Sequence, residues 1–349
     1  TLTVSGCGLI ISGTGALTLP NGTTAQRPGT PNAGMIRFNT ISSTTEYYNG
    51  CDWYSFSDNY VHNVDVLAVG GGGGGGNNLS GAGGGGGVLY FTGHKIKPGI
   101  PITVIVGGGG AVGSDQGGSS CIFTNTIGGG QRASLLIYHK SGNNGCVTLC
   151  SNSTCYTSIS IYSNVQGGCA TGNAGAGGGG AGAPGANMCG NSDVSWPAKP
   201  GGCGVQVGTI LDGINNYYWA GGGGGEGYGD YGGAGGCGGG GGGGAFSLNG
   251  VVAGCGGQGG LNPGCPGTNT NSSLNGGAGG IYTGGGGGGG SHTGASQTSA
   301  TGGSGGSGIV IIRYPQHYNA PTVTGTTPCI CINCGYRSYI FLSSGTITF

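Results

Sequence analysis

The sequence predicts an all-β chain built around packed polyglycine-II helices, with flanking β segments and essentially no α-helix. Three observations carry that expectation. First, glycine supplies 97 of the 349 residues, much of it in unbroken runs: Gly70–Gly76, Gly83–Gly87, Gly107–Gly110, Gly177–Gly180, Gly221–Gly225, Gly238–Gly244 and Gly284–Gly290. Second, two apolar strands bracket the runs. Val64-Asp65-Val66-Leu67-Ala68-Val69 passes straight into glycine, and Gly302–Gly308, interrupted only by Ser304 and Ser307, passes into Ile309-Val310-Ile311-Ile312-Arg313-Tyr314-Pro315. Third, only 5% of residues are charged and the net charge is zero, yet the chain holds 17 Tyr, 7 Phe and 3 Trp. Disordered chains show the opposite balance, high net charge and few aromatics.

The glycine runs need a physical account, because each glycine loses more backbone entropy on folding than any other residue. An extended polyglycine-II rod makes no internal hydrogen bonds. It offers its N–H and C=O groups sideways, and neighbouring rods must satisfy them. Only glycine lets backbones approach that closely, as at the collagen axis. Seven residues at a rise of ~3.1 Å make a rod of about 22 Å.

In chain order, residues 1–60 read as a β module. Residues 1–20 alternate apolar and small polar positions, with Leu2, Val4, Ile10 and Ile11 on short strands. The segment Gln26-Arg27-Pro28 to Gly34-Met35-Ile36-Arg37-Phe38-Asn39-Thr40 is a proline-fixed turn entering a strand. Glu46-Tyr47-Tyr48-Asn49-Gly50-Cys51-Asp52-Trp53 is a strand, an Asn-Gly turn and another strand. This pattern resembles a small β module common in viral tail-fibre and structural proteins, and departs from it at Cys51.

Residues 61–315 form the bracketed domain. Its opening Val66-Leu67-Ala68-Val69 with the following glycines, and its closing Gly-Gly-Ser-Gly-Gly-Ser-Gly-Ile-Val-Ile-Ile-Arg-Tyr-Pro, resemble the glycine-rich domain of bacteriophage and large-virus tail-fibre or adhesin proteins. Strands Val88-Leu89-Tyr90-Phe91 and Ile102-Thr103-Val104-Ile105-Val106 about the Pro98-Gly99 turn fit the same pattern. The resemblance implies a rigid tip of polyglycine rods whose connecting loops touch a host surface. Two inserts, 131–169 and 187–219, depart from it and are expected to project from the bundle. Residues 316–349 read as a separate β tail. Its apolar strands, carrying Ile340, Phe341, Leu342, Ile347 and Phe349, are expected to add to another chain together with the N-terminal ones.

Fifteen cysteines point to an oxidising compartment. Disulfides are expected among Cys146, Cys150, Cys155, Cys169, Cys189, Cys203, Cys329, Cys331 and Cys334, in preference to a metal site at the last three. The chain starts on Thr1 and not on Met, so it is expected to be processed or cropped, with any signal peptide already absent. No apolar run is long enough for a membrane-spanning helix. Asn21, Asn78, Asn152 and Asn271 each head a glycosylation sequon.

Little points to catalysis. Gly302-Gly303-Ser304-Gly305-Gly306 echoes a nucleophile elbow, but a strand follows it where a helix is needed. Gly224 to Asp230 approaches a calcium-binding repeat and does not recur. The five histidines are scattered, and nine basic residues against nine acidic ones leave no nucleic-acid footprint. No enzyme activity, metal or cofactor is expected. Surface recognition is the better expectation. Tyr217, Tyr218, Trp219, Tyr228 and Tyr231 lie beside glycine rods, with Trp196 in the second insert. Aromatics on rigid supports give contact area at low entropic cost. The expected partners are a host-surface glycan or protein and further copies of the chain. The expected setting is extracellular or a virion surface, with a self-assembling filament subunit as the alternative role.

Overall fold

The computed structural model describes residues 14–56, 62–78, 80–113, 115–133, 142–148, 158–163, 165–169, 175–187, 198–228, 231–246, 250, 252–270, 273–292 and 300–349. The chain divides into two units, Thr1–Val61 and His62–Phe349. Among the described residues there is no α-helix. Of the positions singled out above, Leu2, Val4, Ile10, Ile11, Cys150, Cys155, Cys189, Asn152, Asn271 and Trp196 lie outside the described residues.

The first unit holds a four-stranded sheet in the order Asn21–Gly22, Ile36–Asn39, Thr44–Tyr48, Trp53–Ser55. Its sequence motif is one polar knot. Buried Glu46 accepts from Arg27 Nη2 at 2.6 Å and from Asn39 Nδ2 at 3.0 Å, with Arg37 Nε 3.4 Å away. Both guanidinium groups lie over the Trp53 ring, at 5.7 and 5.9 Å. A buried ion pair holds only if further hydrogen bonds satisfy it, and Asn39 supplies one. Asn49 closes the hairpin by accepting from the N–H groups of Cys51 and Asp52, and Gly50 takes the φ of +104° that the turn needs.

The second unit is built on two facing antiparallel sheets of six strands. The first sheet has the order Ser158–Tyr162, Val88–Ile96, His62–Val69, Ile309–Pro315, Tyr336–Phe341, Cys329–Asn333. The second has the order Val147–Thr148, Asn125–Ile127, Ser120–Ile122, Ile102–Ile105, Gly345–Thr348, Thr322–Thr324. Val64, Val66, Phe91, Ile312, Tyr314 and Phe341 meet Ile102, Val104, Ile122, Ile127 and Ile347 between them. The other face of the first sheet is also covered: Leu67, Val69, Ile309 and Ile311 pack on Val205, Ile210 and Trp219. Burial on both faces is why its central strands read as unbroken apolar runs. Each such side chain contributes about 1.5–3 kcal/mol.

At one end of this sandwich the strands become glycine runs. Val69 leads into Gly70, Ile127 into Gly128, Gly87 into Val88 and Gly308 into Ile309. Ser120 ties the two sheets there, donating to Val69 O at 2.7 Å and accepting from Gly107 N at 3.0 Å. The run 70–76 then makes a bond pattern that repeats every third residue. Gly70, Gly73 and Gly76 donate to the carbonyls of Gly87, Gly84 and Gly81. Gly71 and Gly74 donate to Gly118 and Asp115, and Gly72 and Gly75 to Gly306 and Gly303. Its own carbonyls accept from Gly110, from Gly130 and Ala133, and from Gly287 and Gly290. One extended run thus has six backbone neighbours and no side chains.

Three expectations are corrected. The segment 316–349 is not a separate tail: its four strands lie within the two sheets, two in each. The first insert does not project along its length, because Ser158–Tyr162 is an edge strand of the first sheet. The described stretch 198–219 of the second insert is also absorbed. Gly201 and Gly204 bond to Ala234 and Cys237 within the bundle, and Val205, Val207 and Ile210 are buried. A short apolar strand satisfies its backbone more fully by joining an existing sheet edge than by standing alone.

Candidate functional site

The predicted aromatic cluster is divided by the fold. Trp219 is a core residue, 1% exposed beneath the first sheet, because the strand Tyr218–Trp219 pairs with Val205–Gln206 and turns the indole inward. It therefore offers no recognition surface. Tyr217 lies against its edge at 6.1 Å, half-buried. Tyr218 is half-buried and bonds through its N–H to Gly259 O. Tyr228 belongs to another group, stacked on Phe246 at 5.8 Å and edge-on to His292 at 5.4 Å. Tyr231 stands out at 57% exposed.

The C-terminal residues expected to meet another chain are used within their own. Tyr336–Phe341 is paired on both sides, by Ile309–Pro315 and by Cys329–Asn333. Phe341 and Ile347 are fully buried, Ile340 is 8% exposed, and Leu342 and Phe349 pack at the margins of the core. The large apolar residues that do stay exposed on the edge strands of the first sheet are Ile159, Ile161, Ile330 and Ile332. Alternation of small polar and apolar residues in Ser158–Tyr162 and Cys329–Asn333 is the signal by which sequence reasoning could have found them.

Cys169, Cys203, Cys329, Cys331 and Cys334 are free thiols, and Cys146 is exposed. Of the triplet, Cys329 and Cys331 lie on the strand, while Cys334 sits in its turn at φ 50° with its N–H on Asn333 Oδ1. Cys203 meets instead Cys237, a residue absent from the sequence expectation, and the hydrogen bond between them pushes the Cys237 thiol up. Asn21 and Asn78 are both exposed.

A cavity of about 190 Å³ lies beside this hairpin, lined by Leu211, Asp212, Arg313, Cys331, Cys334 and Tyr336. Its charges are already committed. Arg313 pairs with Asp65 at 2.8 Å, donates to Thr209 O and lies over the Tyr336 ring at 4.8 Å. Burial works to raise the Asp212 carboxyl, but the N–H groups of Asn215 and Ile214 and the Asn215 amide hold it below the usual carboxylate range. Glu226, inside the glycine bundle, is different. It is fully buried, neither carboxyl oxygen has a partner, and burial pushes its pKa well above the ordinary value. Among the described residues no group of three His, Cys, Asp or Glu is placed to hold a metal ion, and no helix is long and apolar enough to cross a membrane.

The model of a family described as a glycine-rich domain matches residues 49–283, more than half of the chain. No curated protein matches it.

Proposed function

The chain belongs to the glycine-rich domain family, and from that premise we propose a non-enzymatic structural protein of the viral tail-fibre or adhesin type, extracellular or carried on a virion. In this reading the glycine runs are a bundle of polyglycine-II helices that serves as a rigid support for host-surface recognition. The observation that carries it is the three-residue period of the hydrogen bonds made by Gly70–Gly76. A helix of three residues per turn without internal bonds sends successive N–H groups to three different neighbours, which is the pattern expected of such rods. A platform stiffened by backbone bonds from every side presents its loops with little entropy left to lose on binding.

The recognition surface proposed is the set of tyrosines left outside the core: Tyr231 first, then Tyr217, Tyr218 and Tyr228. They suit a glycan or protein of a host surface, to which phenol rings offer both a flat face and a hydroxyl. The test is immunoelectron microscopy of the source material with antibody to this chain, joined to binding of the purified chain to immobilised glycans and host-surface proteins. Label on particle-borne fibres, and binding that Tyr231→Ala reduces at unchanged thermal stability, are expected. Label confined to the cell interior, or binding indifferent to all four tyrosines, refutes the reading.

A further inference from the structure

We propose that copies of this chain join head to tail by pairing the two open edges of the first sheet, Ser158–Tyr162 of one copy against Cys329–Asn333 of the next. The inference stands on the edges themselves and does not depend on the recognition reading.

The two edges fit each other in four respects. Both are five residues long, Ser-Ile-Ser-Ile-Tyr and Cys-Ile-Cys-Ile-Asn. All neighbours in the six-stranded sheet are antiparallel, so its outermost strands run in opposite directions. A second copy in the same orientation therefore continues the alternation. The isoleucines of both edges lie on one face: Ile159 and Ile161 stand opposite Phe91 and Leu89, and Ile330 opposite Tyr339, all residues of the core between the sheets. With Cys331 opposite Ser160, Ile330 falls beside Ile161 and Ile332 beside Ile159, and the apolar face runs on across the joint.

Neither edge carries a device against such pairing. Soluble proteins blunt exposed edges with lysine, proline or a bulge. These two strands hold no charge and no proline, and their pairing register is unbroken. Ile159, Ile161, Ile330 and Ile332 are 38, 43, 55 and 52% exposed, a large apolar area for residues of a strand. A joint between unlike edges leaves a free edge at each end, so it propagates, and the twist between strands makes the product an open helical filament. Pairing of one edge with itself would stop at a dimer.

Light scattering and electron microscopy of the full chain test this with two double variants, Ile330→Lys with Ile332→Lys and Ile159→Lys with Ile161→Lys. The wild type is expected to form filaments whose mean mass grows with concentration. Each variant alone is expected to be monomeric at an unchanged unfolding midpoint, and an equimolar mixture to give dimers through the one intact joint. The milder pair Ile330→Ser with Ile332→Ser weakens assembly without adding charge, should the lysines disturb the fold. A monomeric wild type, variants that polymerise unchanged, or a mixture that stays monomeric overturns the proposal. A dimer formed by the Ile159→Lys, Ile161→Lys variant alone overturns it in favour of self-pairing.

Discussion

Substituting Gly75 by alanine should severely destabilise the packed glycine runs, whereas the same change at Gly108 should not. A β-carbon at Gly75 would overlap the carbonyl oxygen of Gly288 on a neighbouring run; one at Gly108 meets nothing within 4 Å. Ordinary contact at Gly75 requires the two runs to part by roughly 1 Å, enough to carry a bond of normal length out of range. The bonds at stake are Gly287 N to Gly73 O at 2.9 Å and Gly290 N to Gly76 O at 3.0 Å. Each leaves a buried backbone pair unsatisfied, at about 1–3 kcal/mol, so Gly75→Ala loses about 2–6 kcal/mol. Against a whole stability of about 5–15 kcal/mol that is severe. Gly108→Ala restricts only the unfolded chain and is worth roughly 0.4–1 kcal/mol in favour of the fold. Denaturant midpoints of the two variants and the wild type measure both. Equal midpoints for the two variants would mean that the runs are loosely packed and would refute the close backbone contact between them.

Two glutamates should shift stability with pH in opposite senses. The folded value of Glu226 is raised by burial, so its contribution is whole below the unfolded value of about 4.3 and is lost as pH climbs through the folded value. Glu226→Gln should flatten that decline and so stabilise the fold relative to the wild type on the alkaline side; an unchanged alkaline limb in thermal melts contradicts this. Glu46 is held low by the Arg27 hydrogen bond, so its contribution is present above the unfolded value and disappears as pH falls through the folded one. Glu46→Gln leaves two guanidinium groups uncompensated, costs about 3 kcal/mol, and should raise hydrogen exchange in Thr44–Tyr48 at pH 7 but scarcely at pH 2. Cys203→Ser should weaken the contact that raises Cys237 and so speed alkylation of Cys237, while leaving the rate at exposed Cys255 as it was.

The strands were legible wherever one residue pattern fixed them. Val64–Val69 and Ile309–Pro315 announce strands by their apolar runs, and Asn49-Gly50 announces its hairpin. The direction of the small module's polar groups was not legible, because Arg27, Arg37, Asn39 and Glu46 converge only after Ile36–Asn39 has paired with Thr44–Tyr48 and the turn carrying Arg27 has folded back on them. The C-terminal strands misled for a general reason. An apolar strand near a terminus looks the same whether it completes its own sandwich or a neighbour's, and only the count of strands already waiting in the sheet decides. Trp219 misled similarly: its two tyrosine neighbours and the adjoining glycines suggested a displayed loop, but Val205 and Ile210, fourteen and nine residues earlier, bury it.

What a glycine run cannot specify is its own register. With no side chains, a shift of three residues restores the bond pattern between two such runs, so the runs alone would settle into many nearly equal arrangements. The unequal residues at their ends break that degeneracy. Val69 opposite Val88 and Ile309 fixes where Gly70, Gly87 and Gly308 begin, and Ser120 fixes Gly107 against Val69 O. The sandwich is therefore the device that phases the glycine runs, and the runs in turn bury the polar backbone that would otherwise fray at the sandwich's end. This mutual need explains why the apolar strands stand directly against the glycines with no linker between them.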